Sequence, residues 1–296
     1  MSEEAVERLF RTPTPARLKL SNVSGSVKIT GHHADTIHVK AQKRPNSGDL
    51  ERTEIELKQD QDGKVIVTTR FPRDWRFFPG PQKPCDIDYL VEVPFVCELE
   101  VSGVSNPSEI ENVSGAIRLN TVSGPITSKA LSGRIKIDTV SAKVQVEDMS
   151  GPLQVKSVSG EVFLRNSTID SANISTVSGN LNLQTSLSRG PYHFETISGD
   201  LTLEIAPPTG CLVKFQTLSG RFKTDLTIDK ETINPGKREF SLQGGGPEIH
   251  YQSISGNLKL FHSHGSTNVT GSGRSLATSS SPGMDELPSQ ETRDYT

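Results

Sequence analysis

A chain of 296 residues is long enough for one large or two modest domains with a substantial buried core. Its formal net charge of −3 excludes the strongly basic balance that nucleic acid or an anionic membrane surface selects, so no nucleic acid is expected among its partners. Hydrophobic content of 32% is low for a globular fold and suits an architecture whose strands bury one face only.

In chain order, residues 1–15 form a polar segment in which Glu3, Glu4, Glu7 and Arg8 leave no apolar core of signal-peptide length. No run reaches the ~20 apolar residues of a membrane span. These two absences predict a cytoplasmic location and no membrane span, while export by another route, or trimming from a longer precursor, leaves room for cell-surface association. Residues 16–101 alternate at the period of a strand in Leu18-Lys19-Leu20, Val27-Lys28-Ile29, Ile37-His38-Val39, Ile55-Glu56-Leu57, Val65-Ile66-Val67 and Tyr89 to Val93. Val23-Ser24-Gly25 stands near the start of this region and Val101-Ser102-Gly103 at its end. It reads as opening coils with long insertions, or as a β-rich cap over an exposed edge. Within it, Phe71 to Cys85 sets Trp75, Phe77 and Phe78 among Pro72, Pro79, Pro81 and Pro84. The prolines exclude a central strand, leaving a loop whose aromatics either plug an open end or present a recognition tip.

From Val113 to Gly160 one phrase recurs: an apolar residue, Ser, then usually Gly. The third residue falls at Gly115, Gly124, Gly133, Ala142, Gly151 and Gly160, nine apart. Counting that residue as position one, apolar side chains fall at positions three, five and eight, as in Ile117, Leu119 and Val122 or Ile135, Ile137 and Val140. Positions three and five share one strand face. Position eight breaks the alternation by three, so the chain is expected to turn between five and eight and send all three side chains inward. Glycine accepts the positive φ of a tight corner and Ser bonds nearby backbone, so each nonamer reads as a short strand plus a corner. A nonamer cannot bury its apolar face alone, whereas stacked copies can. The phrase later recurs at Gly179, Gly199 and Gly220 at near twenty residues, with Asn166-Ser167-Thr168 taking the intervening corner. The expected fold is therefore all-β, a parallel β-solenoid with roughly 18–20 residues per coil, β-helix-like and capped by β-rich terminal segments. Its repeats span 102–260.

Residues 220–260 read as one last hairpin-bearing coil that closes the structure, with Gly244-Gly245-Gly246 as a corner and a final Ile254-Ser255-Gly256. Residues 261–296, rich in Ser, Thr, Gly and Pro without apolar periodicity, are expected to be a disordered tail.

The chemistry-bearing residues form no catalytic signature, and no cofactor or metal is expected. Cys85, Cys97 and Cys211 are too widely spaced for a ligand pair or a disulfide framework, and read as buried or free thiols. His262 and His264 lack a third ligand, and His32-His33 reads as a solvated turn. The Gly-Gly-x-Gly-x-Asp phrase of calcium-binding nonapeptides is missing: Ala116, Pro125, Arg134, Pro152 and Glu161 follow the glycines. Asp138 and Glu147 hold nearby repeat positions, yet a flattened coil places them on opposite faces.

The phrases Asn112-Val-Ser-Gly, Thr121-Val-Ser-Gly, Ser157-Val-Ser-Gly, Thr176-Val-Ser-Gly and Thr196-Ile-Ser-Gly, with Tyr89 to Pro94 ahead of them, resemble a bacterial β-strand-repeat family of unknown function whose members often carry an adhesin label. The resemblance covers roughly residues 16–260. It implies a parallel β-solenoid and a non-enzymatic role, and it defines no functional residues. The expected function is a scaffold or adhesin-like interaction protein presenting rigid Ser/Thr-rich faces to a protein or polysaccharide partner. The alternative is a carbohydrate-active enzyme on a parallel β-helix, which requires converging carboxylates. The candidate surfaces are the loop of Trp75, Phe77 and Phe78 and the corners at Gly115, Gly124, Gly133, Gly151, Gly160, Gly179, Gly199, Gly220 and Gly256. The chain is expected to be a monomer or to associate end to end.

Overall fold

A computed structural model describes residues 5–71 and 83–263. Trp75, Phe77 and Phe78 lie outside these residues, as does the tail from residue 264 onward. The described chain is all-β. Its first part holds β1 (Ala5–Arg11), β2 (Ala16–Ser24), β3 (Val27–His32), β4 (Thr36–Lys43), β5 (Glu54–Gln59), β6 (Val65–Arg70) and β7 (Ile87–Pro94). The Ser-Gly region follows as β8 (Cys97–Ser105), β9 (Ser108–Ser114), β10 (Ile117–Ser123), β11 (Ile126–Ser132), β12 (Ile135–Thr139), β13 (Val144–Glu147) and β14 (Ser150–Ser157). After it come β15 (Val162–Ser178), β16 (Leu181–Leu187), β17 (Tyr192–Ser198), β18 (Leu201–Ile205), β19 (Cys211–Thr217) and β20 (Phe222–Thr224). The last four are β21 (Ile228–Asn234), β22 (Lys237–Leu242), β23 (Glu248–Ser255) and β24 (Leu258–His262), so strand runs two residues into the segment expected to be tail.

Alternate nonamers join alternate ladders. In the first ladder β8, β10, β12 and β14 pair in parallel, with Leu99 opposite Ile117, Ile117 opposite Ile135 and Ile135 opposite Leu153. In the second, β9, β11 and β13 do the same, with Ile110 opposite Ser128 and Ser128 opposite Val146. Each step is 18 residues, two nonamers. The long β15 serves both ladders, Val162 pairing with Val144 and Ala172 with Tyr192. Beyond it the step lengthens to 20, as Leu181 to Leu201. Inward side chains of both ladders, among them Ile117, Leu119, Ile126, Ile137, Val144 and Val155, belong to one apolar core. Each such side chain is worth about 1.5–3 kcal/mol when fully buried.

At both ends stacking departs from chain order. β2 and β3 sit between the β6–β7 pair and the β8–β9 pair, since Leu18 faces both Val65 and Leu99, and Ile29 faces both Val91 and Ile110. At the other end β23 and β24 slide between β17–β18 and β19–β20, Ile249 facing both Tyr192 and Val213. Residues 220–260 are thus not one closing coil: the last strands are interior, and the outermost is the antiparallel β21–β22 hairpin laid against β19. The polar N-terminal segment also differs from expectation. β1 pairs antiparallel with β4, and Phe10 is buried beneath it. Arg44 holds this end to Asp88, whose carboxyl burial alone would raise; hydrogen bonds from Arg44 and Ser26 outweigh that and leave it below its ordinary value.

Candidate functional site

The two kinds of nonamer differ at the corner. In the second ladder the residue before position eight adopts the left-handed conformation: Asn112 (φ 57), Ala130 (φ 52), Asp148 (φ 53) and Asn166 (φ 47). This extra step resets the alternation, so Val113, Leu131 and Met149 turn inward and are only 1%, 1% and 2% exposed. In the first ladder the same place holds Thr121, Thr139, Ser157, Thr176 and Thr196. β-branched side chains resist positive φ, so the strand continues in plain alternation. The hydroxyl residue then points in, and the next residue points out: Val122, Val140 and Val158 are 45%, 45% and 47% exposed. The expectation that position eight is inward everywhere is corrected here for the first ladder.

The consequence is a continuous exposed row of Val104, Val122, Val140, Val158, Val177, Ile197, Ile254 and Leu218 in stacking order. Register is held by the serines that follow. The Ser141 N–H donates to the Val122 carbonyl at 2.8 Å, Ser159 to Val140 at 2.7 Å, Ser178 to Val158 at 2.8 Å and Ser219 to Ile254 at 2.9 Å. Ser105 faces Ser123, and Ser198 faces both Ser178 and Ser255. With strands ~4.8 Å apart, seven steps carry the row over roughly 34 Å. One side of it is the serine column. On the other, buried, lie Thr121, Thr139, Ser157, Thr176, Thr196 and Thr217, whose hydroxyls lack a protein hydrogen-bond partner.

The predicted glycine corners form columns in which a closely stacked carbonyl is common to all and positive φ is a further demand at four. Gly115, Gly124, Gly133 and Gly151 have positive φ, as the corner chemistry requires. Gly160, Gly179, Gly199, Gly220 and Gly256 do not. There a Cβ would lie 2.0–2.3 Å from the carbonyl oxygen of the corner stacked next to it, as at Gly179 over Gly160 and Gly199 over Gly179. Ala142 takes the equivalent place beside Gly160.

Other candidates are dispersed. Asp138 lies on β12 in the first ladder and Glu147 on β13 in the second, and Asp138 pairs with Lys136 at 3.4 Å. The His32 ring contacts the Thr36 carbonyl at 2.9 Å, and His33 packs edge-on against Phe95. His262 ends β24, and His264 lies outside the described residues. Cys85, Cys97 and Cys211 are buried thiols; burial pushes the latter two up to about 12. Among the described residues no three or more His, Cys, Asp or Glu side chains gather as a metal site, and no helix is long and apolar enough to cross a membrane. The row of Val, Ile and Leu with its serine border is what remains, a surface that offers apolar contact area and short hydroxyl groups. From Asn112 to Thr217 the sequence carried its signal in the residue two before each Ser: Thr or Ser where the row is exposed, Asn, Ala or Asp where it is buried.

A family model described as Toastrack DUF4097 matches residues 17–260. The chain belongs to the Toastrack family. Its fold is β-solenoid-like, in keeping with the parallel ladders and with the resemblance carried by the Ser-Gly phrases. No curated protein matches the chain. Among solved structures, a candidate lipid-binding protein from Parabacteroides distasonis is 14% identical, covers 86% of this chain and 96% of its own, and has a TM-score of 0.50. A candidate cell adhesion protein from Clostridium sporogenes is 11% identical over 88% of this chain and 100% of its own, with a TM-score of 0.32. A candidate adhesin from Parabacteroides distasonis is 12% identical over 88% and 97%, with a TM-score of 0.30. At 14% identity the likeness of the Toastrack chain to the first of these is one of fold alone, and what that protein binds is a property of its own.

Proposed function

We propose that this Toastrack protein is a non-enzymatic, adhesin-like interaction scaffold: a parallel β-solenoid of 18–20 residues per coil whose exposed Val/Ile row is the working surface. In this reading residues 16–101 are the coils and cap of one end, 102–260 the repeats, and 1–15 a strand that closes an edge. The observation that carries it is the unbroken exposure of Val104 through Leu218 in register. Scattered apolar residues on a surface need no explanation, whereas a contiguous row marks an interaction site. The partner is a protein offering a complementary apolar strand or helix face. Hydroxyls of the serine column border the row, so contact area rather than charge pairing holds the partner.

Replacing Val122, Val140, Val158 and Val177 with Ser tests this by affinity capture from native cells. The expected result is loss of a specific protein partner with an unchanged melting midpoint. An unchanged partner set overturns the assignment of the surface. Flotation of the native chain with phosphatidylcholine vesicles, lost in the same variant, overturns the choice of a protein as occupant. Fractionating the same cells separates a cytoplasmic location from surface association.

A further inference from the structure

The outward face of the first ladder carries a second, charged feature. Arg118 on β10 lies directly opposite Lys136 on β12, and Arg134 stands two residues before Lys136, on the same face. Neighbouring strands are ~4.8 Å apart and alternate residues of one strand roughly 6.6 Å, so three cations surround one spot. Between Glu98 and Arg134 the equivalent position is Ala116, whose small side chain leaves a hollow of about 420 Å³ that Gln154 also lines.

The charges around this hollow are unbalanced. Arg17, Lys64, Arg118, Arg134 and Lys136 line it against Glu98 and Glu100, five cations to two carboxylates, on a chain whose net charge is −3. Glu100 is already engaged by Lys19 at 2.9 Å and Lys64 at 3.6 Å, and Lys136 reaches Asp138. Among the described residues, the side chain of neither Arg118 nor Arg134 has a hydrogen-bond or ion-pair partner. Like charges facing each other across strands are destabilising. Two guanidinium groups without an ion-pair partner beside an open hollow point to a ligand that neutralises them.

We propose that the hollow over Ala116 binds an anionic sugar. Its carboxylate or phosphate lies between Arg118 and Arg134, whose planar guanidinium forks match either group in bidentate fashion. Glu98 and Gln154 select the rest of the ligand. A carboxylate on the far wall repels a second anionic group on the same sugar and accepts hydrogen bonds from hydroxyls, which favours a hydroxyl-rich unit with one anionic group per sugar over a bare polyanion.

The test is titration calorimetry on the native chain with trigalacturonate, glucose 6-phosphate, maltotriose and inorganic phosphate. The expected result is binding of one acidic sugar, the first if a carboxylate is held and the second if a phosphate is held. The double variant R118Q/R134Q should lower that affinity about tenfold or more, as loss of charge-assisted hydrogen bonds entails. Ala116→Phe, which fills the hollow and leaves every charge in place, should abolish binding. Equal binding of maltotriose overturns the anionic requirement, and equal binding of inorganic phosphate overturns the sugar. Absence of acidic-sugar binding at millimolar concentration, or unchanged affinity in R118Q/R134Q with a native melting midpoint, overturns the site.

Discussion

At the scale of single residues the glycines carry the most information, because one residue type answers two demands. Gly179 has an ordinary φ, yet a Cβ there would meet the Gly160 carbonyl oxygen at 2.1 Å. Gly236 in the β21–β22 turn has φ +74 and nothing within 4 Å. Replacing each with Ala separates close approach from backbone strain. Ala142 occupies the matching place one coil before Gly160, so the added methyl at Gly179 forces a shift of backbone and does not forbid the fold. We expect Gly179→Ala to cost about 2 kcal/mol or more and Gly236→Ala about 1 kcal/mol. Urea denaturation midpoints give the comparison, and a larger loss at Gly236 would make φ the common cause. The sequence made every corner glycine visible but assigned all of them to positive φ. The stacked carbonyl that excludes a side chain belongs to a residue about twenty positions away, and local spacing cannot display it.

At the scale of the strand and its corner, the choice between Thr and Asn decides which face position eight joins. Thr139 extends the strand and buries a hydroxyl with no protein partner, a group whose desolvation costs about 1–3 kcal/mol. Val has nearly the same shape and keeps the β preference. Thr139→Val is therefore expected to raise stability by about 1 kcal/mol, read as a higher urea midpoint at unchanged slope. A fall in stability would show that the hydroxyl column is satisfied in solution. Strand existence and the two-nonamer step were legible from Ile117, Leu119, Ile135 and Ile137, because alternation and spacing are local properties. The exposed row was not read, since Val122 and Val113 look alike in a one-dimensional pattern. Only the preceding Thr121 or Asn112 separates them, through the conformational cost of positive φ. Arg118 and Arg134 belong to different nonamers, and only the register of β10 on β12 brings them to one face.

At the scale of the whole described fold, both ends solve one problem. A parallel stack ends in strands with unpaired backbone groups, which template association with another chain. Here the terminal coils are out of chain order, and antiparallel strands meet the outer edges of β6, β7 and β19: β5 on β6, β4 on β7 with β1 beyond it, and the β21–β22 hairpin on β19. Such pairings join segments far apart in sequence, as Ile29 with Val91 and Leu201 with Leu258, so composition and spacing gave no hint of them. They also make the ends the most entropically costly part to close. β1 is the simplest cover to remove: it masks Thr36 to Gln42 of β4 and contributes Phe10 to the core. A variant lacking residues 1–11 should keep its parallel ladders, since β4 remains paired with β7 on its other side. Its β4 edge would then be open, and sedimentation velocity should show concentration-dependent association beyond that of the intact chain. If the truncated chain stays monomeric at all concentrations, the edge is not what β1 protects, and its role reduces to covering the core with Phe10.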